Sequence, residues 1–204
     1  MGGGASPGAP ARAAQPQELE RHLARLPVVE PHTVAGTAAV LAVLRPSDRG
    51  AEVLLEVRAL RDGDVGSGQV ALPGGRREPS DPSLEATALR EAREEVGLAD
   101  EELAPPIRFF ETTPAAAFGV DVAVFVVQGR PGREVSHAVD PTEVSEVFWM
   151  PLDALATTRR IRRSNHGREF ETDATPVHGH ELWGFTRRVL LELCDRIELG
   201  PAAR

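Results

Sequence analysis

The sequence predicts an α/β domain in which a mixed β-sheet is sandwiched between helices. Three observations carry this expectation. Short apolar runs of strand character are interleaved with helical patterns, at least one helix lies at each end, and no linker divides the chain after Pro16. Strands and helices in that order bury their apolar faces as layers, helix against sheet. A chain of 204 residues can bury one core. Its 41% hydrophobic and 26% charged residues place it among soluble globular proteins.

The elements follow in order. Residues 1–16, Met1 to Pro16, are mostly Gly, Ala and Pro with little to bury, so they are expected to form a flexible tail ahead of a single domain, residues 17–204. Met1-Gly2 with Ser6 formally matches a myristoylation pattern, as any Gly-rich start followed by Ser would. From Gln17 to Leu26, the leucines Leu19, Leu23 and Leu26 recur at helical spacing, and Pro27 stops the helix. Strand-like runs at Thr37 to Leu44 and Glu52 to Val57 flank a Pro-Ser-Asp-Arg-Gly turn. A Gly-rich loop, Asp62 to Gly68, leads to the short run Gln69 to Leu72 and then Pro73-Gly74-Gly75.

A helix is expected from Pro82 to Val96, with Asp81 as its N-cap, Pro82 in its first position and Gly97 as a left-handed C-cap. Further strands are expected at Ile107 to Thr112, Val120 to Val127 and Val144 to Trp149. A last helix, Glu181 to Ile197, would bury Leu182, Val189, Leu190, Leu193 and Ile197.

Charge and composition exclude several functions. A net charge of −8 argues against general nucleic-acid binding, which needs a basic surface. The apolar runs are too short to span a bilayer, so no membrane association is expected. The lone Cys194 cannot form an internal disulfide and fits a reducing, cytoplasmic setting. His166, His178 and His180 lack metal-ligand spacing, so no zinc is assigned.

The chemistry concentrates on the helix ending at Val96. At 100° per residue with Glu91 at zero, Glu95 lies at about +40° and Glu94 at about −60°. Ala92, Val96 and Leu89 fall between about 100° and 160°. The acids are therefore expected to share one space and to face away from the core. Like charges three and four residues apart repel, and Arg90 alone cannot neutralise three glutamates. A divalent cation can: Mg²⁺ prefers carboxylate oxygen and bridges to substrate phosphates. The pattern points to metal-assisted attack of water on phosphorus.

Gly74-Gly75, followed by Arg90-Glu91-Ala92-Arg93-Glu94-Glu95-Val96-Gly97-Leu98, resembles the Nudix box, G-x5-E-x7-R-E-U-x-E-E-x-G-U with U aliphatic. The resemblance implies the family's α/β/α sandwich and hydrolysis of a nucleoside diphosphate linked to another moiety. It implies Mg²⁺ or Mn²⁺ held by Glu91, Glu94, Glu95 and the carbonyl of Gly74, with Arg90 orienting the acids. Gly75 and Arg90 stand one residue farther apart than the box allows, and Asp81 is expected to replace the usual loop glutamate as a brace.

The stretch Leu54-Leu55-Glu56-Val57-Arg58 and then Ser67-Gly68-Gln69-Val70-Ala71-Leu72-Pro73-Gly74-Gly75 resembles coenzyme A pyrophosphatases of this superfamily, which read L-L-T-x-R and G-E-V-x-F-P-G-G. The longer Gly-to-Arg spacing is common among them. Glu56 stands where they have Thr, and Gly66 where a His is frequent. Leu182-Trp183-Gly184-Phe185-Thr186 is similar to their W-G-x-T segment. The resemblance implies that coenzyme A or acyl-CoA is cut to 3′,5′-ADP and 4′-phosphopantetheine. Arg58, Gln69, Gly75 and Arg76 are the expected substrate contacts, with Arg58 as a phosphate clamp or an ordinary surface residue. Glu143 is the candidate for an extra base or metal ligand, or a surface loop acid.

Alternative readings are an ADP-ribose or nucleotide-sugar pyrophosphatase, on the strength of Pro114, and a non-catalytic ligand-sensing module, against which the three glutamates stand. The basic run Arg159, Arg160, Arg162 and Arg163 reads as a solvated charge run or as a site for the 3′-phosphate of coenzyme A. The family resemblance also allows a homodimer.

Overall fold

A computed structural model describes residues 16–63, 66–115, 119–130, 140–165 and 168–199. The expectations for residues 1–15 and for His166 lie outside the described residues. The chain builds helix α1 (Pro16–Leu23), strands β1 (Ala38–Ser47), β2 (Gly50–Arg58), β3 (Val70–Ala71) and β4 (Gly74–Arg76), and helix α2 (Leu84–Val96). Strands β5 (Leu103–Ala115), β6 (Val120–Gly129) and β7 (Val144–Pro151) follow. Then come β8 (Arg159–Asn165), β9 (Arg168–Val177), β10 (His180–Trp183) and helix α3 (Gly184–Ile197).

The main sheet holds seven strands, β1 to β7, and is mixed: β1 and β6 run parallel, whereas the other pairs are antiparallel. Strand alternation gives it two apolar faces. Ala42, Leu44, Val53 and Leu55 pack with Leu19, Leu23 and Leu26, and with Leu190, Leu193 and Ile197 of α3. Ala39, Leu41, Val43 and Leu54 pack on the other face against Leu84, Ala88, Ala92 and Val96 of α2. The expected α/β/α sandwich is thus the observed one.

The sheet splits where the cleft forms. Strands β1 and β2 pair only at the closed end of their hairpin, from Leu44↔Val53 to Ser47↔Gly50. Beyond it they diverge, and β3 adds to β2 while β4 adds to β1. A hydrogen bond of 2.9 Å from Leu41 N–H to the carbonyl of Pro73 ties the wedge to β1.

Several boundaries differ from expectation for physical reasons. The N-cap of α2 is Ser83, whose Oγ accepts from Ala86 N–H at 3.1 Å, and Asp81 is engaged elsewhere. Gly97 closes the helix in the left-handed region at φ +66. Helix α3 starts at Gly184, and Leu182 belongs to β10, although it is fully buried beside the helix residues. Pro114 is exposed within β5, opposite Asp121, rather than in a loop.

Strands β8 to β10 form a second sheet that the sequence reading does not contain. The basic run is its first strand, and acids stand across from it. Arg160 lies 3.0 Å from Asp173, Arg162 lies 3.8 Å from Glu171, and Arg159 pairs with Glu181. This sheet meets the main one through His180, whose Nε2 lies 2.9 Å from Glu146 on β7, and through His178, stacked on Phe148 with centroids 4.5 Å apart.

Candidate active site

Helix α2 lies over β4, and the two glycines of that strand set how closely β4 approaches its neighbours, Gly74 towards β1 and Gly75 towards α2. Gly74 lies at φ +154, and a Cβ there would come 2.2 Å from the carbonyl oxygen of Ala39. A Cβ on Gly75 would come 2.4 Å from Oε1 of Glu91. Glycine at Gly75 therefore leaves the room that the Glu91 carboxylate occupies.

The three glutamates of α2 differ in environment, and the expectation that all three face away from the core is corrected. Glu95 is buried, with 6% of its surface exposed, because the buried arc of the helix runs from Thr87 through Glu95 to Val96. Relative angles along a helix do not reveal where the core is centred. Glu91 is half-buried, and the Glu94 side chain is exposed. Glu95 Oε2 accepts a 2.8 Å hydrogen bond from Gly74 N–H. Burial nevertheless pushes its carboxyl up to about 7, with the charge of Glu91 adding to the shift. Burial also raises the Glu91 carboxyl, opposed by Arg90.

Arg90 organises this surface. It donates from Nε and Nη2 to the two oxygens of Asp81, both at 3.0 Å. Nη1 reaches Glu94 at 2.9 Å and Nη2 reaches Glu91 at 3.0 Å. Nη2 also meets the carbonyl of Arg76 at 3.2 Å. Asp81 is buried and further accepts from Glu78 N–H at 2.9 Å and Thr87 Oγ1 at 3.0 Å. These bonds, chiefly from Arg90, hold its carboxyl well below the usual range.

One acid of this group escaped the sequence reading. Glu56 on β2 is 1% exposed, and its carboxyl lies against that of Glu95. Burial, reinforced by the charge of Glu95, pushes it well above the ordinary value. Oε2 of Glu56 is buried without a hydrogen-bond partner. The signal in the sequence is an acid inside the run Val53-Leu54-Leu55-Glu56-Val57, where both faces of the strand are otherwise apolar.

Among the described residues, no three imidazoles, thiols or carboxylates already converge as a finished cation shell. Arg90 and Gly74 N–H occupy the Glu91 and Glu95 oxygens instead. The donor set still fits a hard divalent cation: clustered carboxylates, a buried oxygen without a partner, and Glu91 seated against Gly75.

A cleft of about 360 Å³ opens beside β4. Arg58, Gln69, Gly74, Gly75 and Arg76 line it, and Phe185 and Thr186 at the start of α3 close one side. The structure thus brings together all four expected substrate contacts. Ser67 and Gly68 form the turn into β3, with Ser67 Oγ accepting from Arg61 N–H at 2.7 Å. Glu143 is exposed just before β7, 3.2 Å from Arg61, and its charge is felt by Glu95. Trp183 is half-buried on the second sheet, tilted against Phe170 at 6.0 Å, with Arg163 5.6 Å from its ring centre.

A splayed mixed sheet carrying a carboxylate helix above a Gly-Gly strand defines the class: a fold that cleaves anhydrides of phosphorus. The NUDIX domain model matches residues 35–170, and the chain belongs to the Nudix family of hydrolases. It is 31% identical over 206 positions to the uncharacterized Nudix hydrolase NudL of Cronobacter sakazakii, covering 91% of this chain and 98% of that protein. It is 38% identical over 86 residues to the mouse peroxisomal coenzyme A diphosphatase NUDT7, covering 42% of this chain and 35% of that protein. The fold is shared with a MutT/nudix family protein from Enterococcus faecalis at TM-score 0.52 and 21% identity, covering 91% of this chain and 70% of that one.

Proposed function

We propose that the chain hydrolyses the diphosphate of coenzyme A or acyl-CoA, releasing 3′,5′-ADP and 4′-phosphopantetheine or its acyl form, with Mg²⁺ or Mn²⁺. The observation that carries this reading is the cleft shared by Arg58, Gln69, Gly74 to Arg76 and the start of α3. Those are the segments whose sequence resembles coenzyme A pyrophosphatases, and the likeness to the mouse diphosphatase supports the same substrate. Arg58 and Arg76 supply positive charge for the diphosphate, and Gln69 supplies hydrogen bonds.

Glu91, Glu94, Glu95 and the Gly74 carbonyl would hold the cation. Held there, the cation would supply positive charge against the diphosphate and lower the pKa of the attacking water. Arg90 keeps the acids of α2 in register with the loop through Asp81. Glu143, on the solvent side of the site, is the candidate to take a proton from water.

The test is a panel of coenzyme A, acetyl-CoA, ADP-ribose, NADH and dinucleotide polyphosphates, each with and without Mg²⁺ or Mn²⁺, read by product chromatography. Coenzyme A or its ester should be turned over fastest. Faster turnover of ADP-ribose overturns the substrate, and full activity in excess chelator overturns the metal.

A further inference from the structure

Glu56 stands apart from the Nudix box, on the sheet rather than on the helix, yet its carboxyl faces the acids of α2. Strand alternation dictates this: Leu54 packs against α2, so Glu56, two residues on, points to the same side. At that point β2 pairs with β3 on one edge and β7 on the other, through Glu56↔Ala71 and Glu56↔Val147. The side chain is therefore enclosed on both edges and covered by the helix.

A buried carboxylate oxygen without a donor is costly, because desolvation removes water and nothing replaces it. Oε2 of Glu56 is such an atom. The carboxyl shares a side-chain hydrogen bond with Glu95, and the charges bearing on it are those of Glu95, Arg58 and Glu91, two of them acids. With that bond in place, Oε2 of Glu56 is still left without a partner among these acids.

We propose that Glu56 is a further ligand of the divalent-cation site, supplied by the sheet and facing Glu91 and Glu95 of the helix. The site is then built from two layers of the fold rather than from one helix. This rests on the metal-dependent reading given above. Where the resembling coenzyme A pyrophosphatases carry threonine, this chain adds a carboxyl that would give up its proton to the cation, and it should hold its cation more tightly for it.

Binding of Mn²⁺ alone to the metal-free full-length protein, followed by the free-ion EPR signal, tests the assignment without any turnover. Glu56→Gln keeps the shape and removes the ionisable carboxyl, and Glu56→Thr removes both, so a folding defect in one leaves the other readable. Each should weaken the tightest Mn²⁺ binding by about 10- to 100-fold. The thermal midpoint of metal-free Glu56→Gln should be unchanged or higher, since a buried acid has been neutralised. Mn²⁺ affinity within threefold of the parent in both variants, alongside a clear loss in Glu95→Gln, overturns the role of Glu56 alone. Absence of saturable Mn²⁺ binding in the parent overturns the metal-dependent reading and this assignment together.

Discussion

Arg90 and Asp81 face each other as two parallel 3.0 Å bonds, joining the loop after β4 to the middle of α2. Asp81 is also the acceptor for Glu78 N–H and Thr87 Oγ1, so one carboxylate fixes three points of the chain. Asp81→Ala leaves Glu78 N–H, Thr87 Oγ1 and Arg90 Nε without this acceptor, while the guanidinium keeps Glu91, Glu94 and the Arg76 carbonyl. The expected loss is about 2 kcal/mol in urea unfolding. Arg90→Lys should not preserve the clamp, because an ammonium cannot make the paired contact.

The two glycines of β4 should respond differently to alanine. At Gly74 the new Cβ strikes the backbone of Ala39 and Val40 at a φ of +154, so Gly74→Ala should cost about 2 kcal/mol or more of stability. At Gly75 it strikes the end of the Glu91 side chain. Gly75→Ala should therefore change the thermal midpoint little and lower turnover sharply, by displacing one carboxylate.

Glu94→Gln and Glu95→Gln should each reduce turnover of the diphosphate by about 10²-fold or more, with the circular dichroism spectrum unchanged. Near-normal turnover in both would remove the carboxylate helix from the mechanism.

Stability of the metal-free protein should depend on pH through Glu95. Burial holds its carboxyl at about 7 in the fold, against an ordinary value of 4.5. Below pH 4.5 both states are protonated. Between 4.5 and about 7 the unfolded chain releases this proton while the fold retains it, so the contribution of Glu95 to stability falls as pH rises. Above that window it changes no further. Thermal midpoints across this range should drop more steeply for the parent than for Glu95→Gln. Asp81 acts in the opposite sense, but at pH below its ordinary 3.8.

The layers of the fold were legible because apolar spacing marks each element that touches the core. Leu19 and Leu23 on α1, Ala88 and Val96 on α2 and Leu190 and Ile197 on α3 all lie where their periodicity directs them. The second sheet was hidden because arginines on β8 stand across from acids on β9, such as Arg160 opposite Asp173, and neither strand alternates cleanly between apolar and polar residues. The box residues were equally legible, as spacing along one helix fixes which acids stand together. Their burial was not, since it depends on β4 lying beneath them. Glu56 was harder still: its partners are Glu91 and Glu95, brought to it only when sheet and helix pack.

The partial pairing of β1 with β2 gives the hairpin the geometry of calipers. Its jaws are Ala38 to Val40 on one side and Arg58 on the other, and its pivot is the four paired rungs between Leu44 and Ser47 and their partners. The spacing of the jaws is set by what is inserted between them, the Val70 to Arg76 segment that carries Gly74 and Gly75. The gauge of the jaws and the seat of the Glu91 carboxylate are thus one piece of chain. A change in the thickness of that insert would alter at once the width of the cleft and the position of Glu91, so under the proposed function selectivity and rate should shift together in variants of this segment.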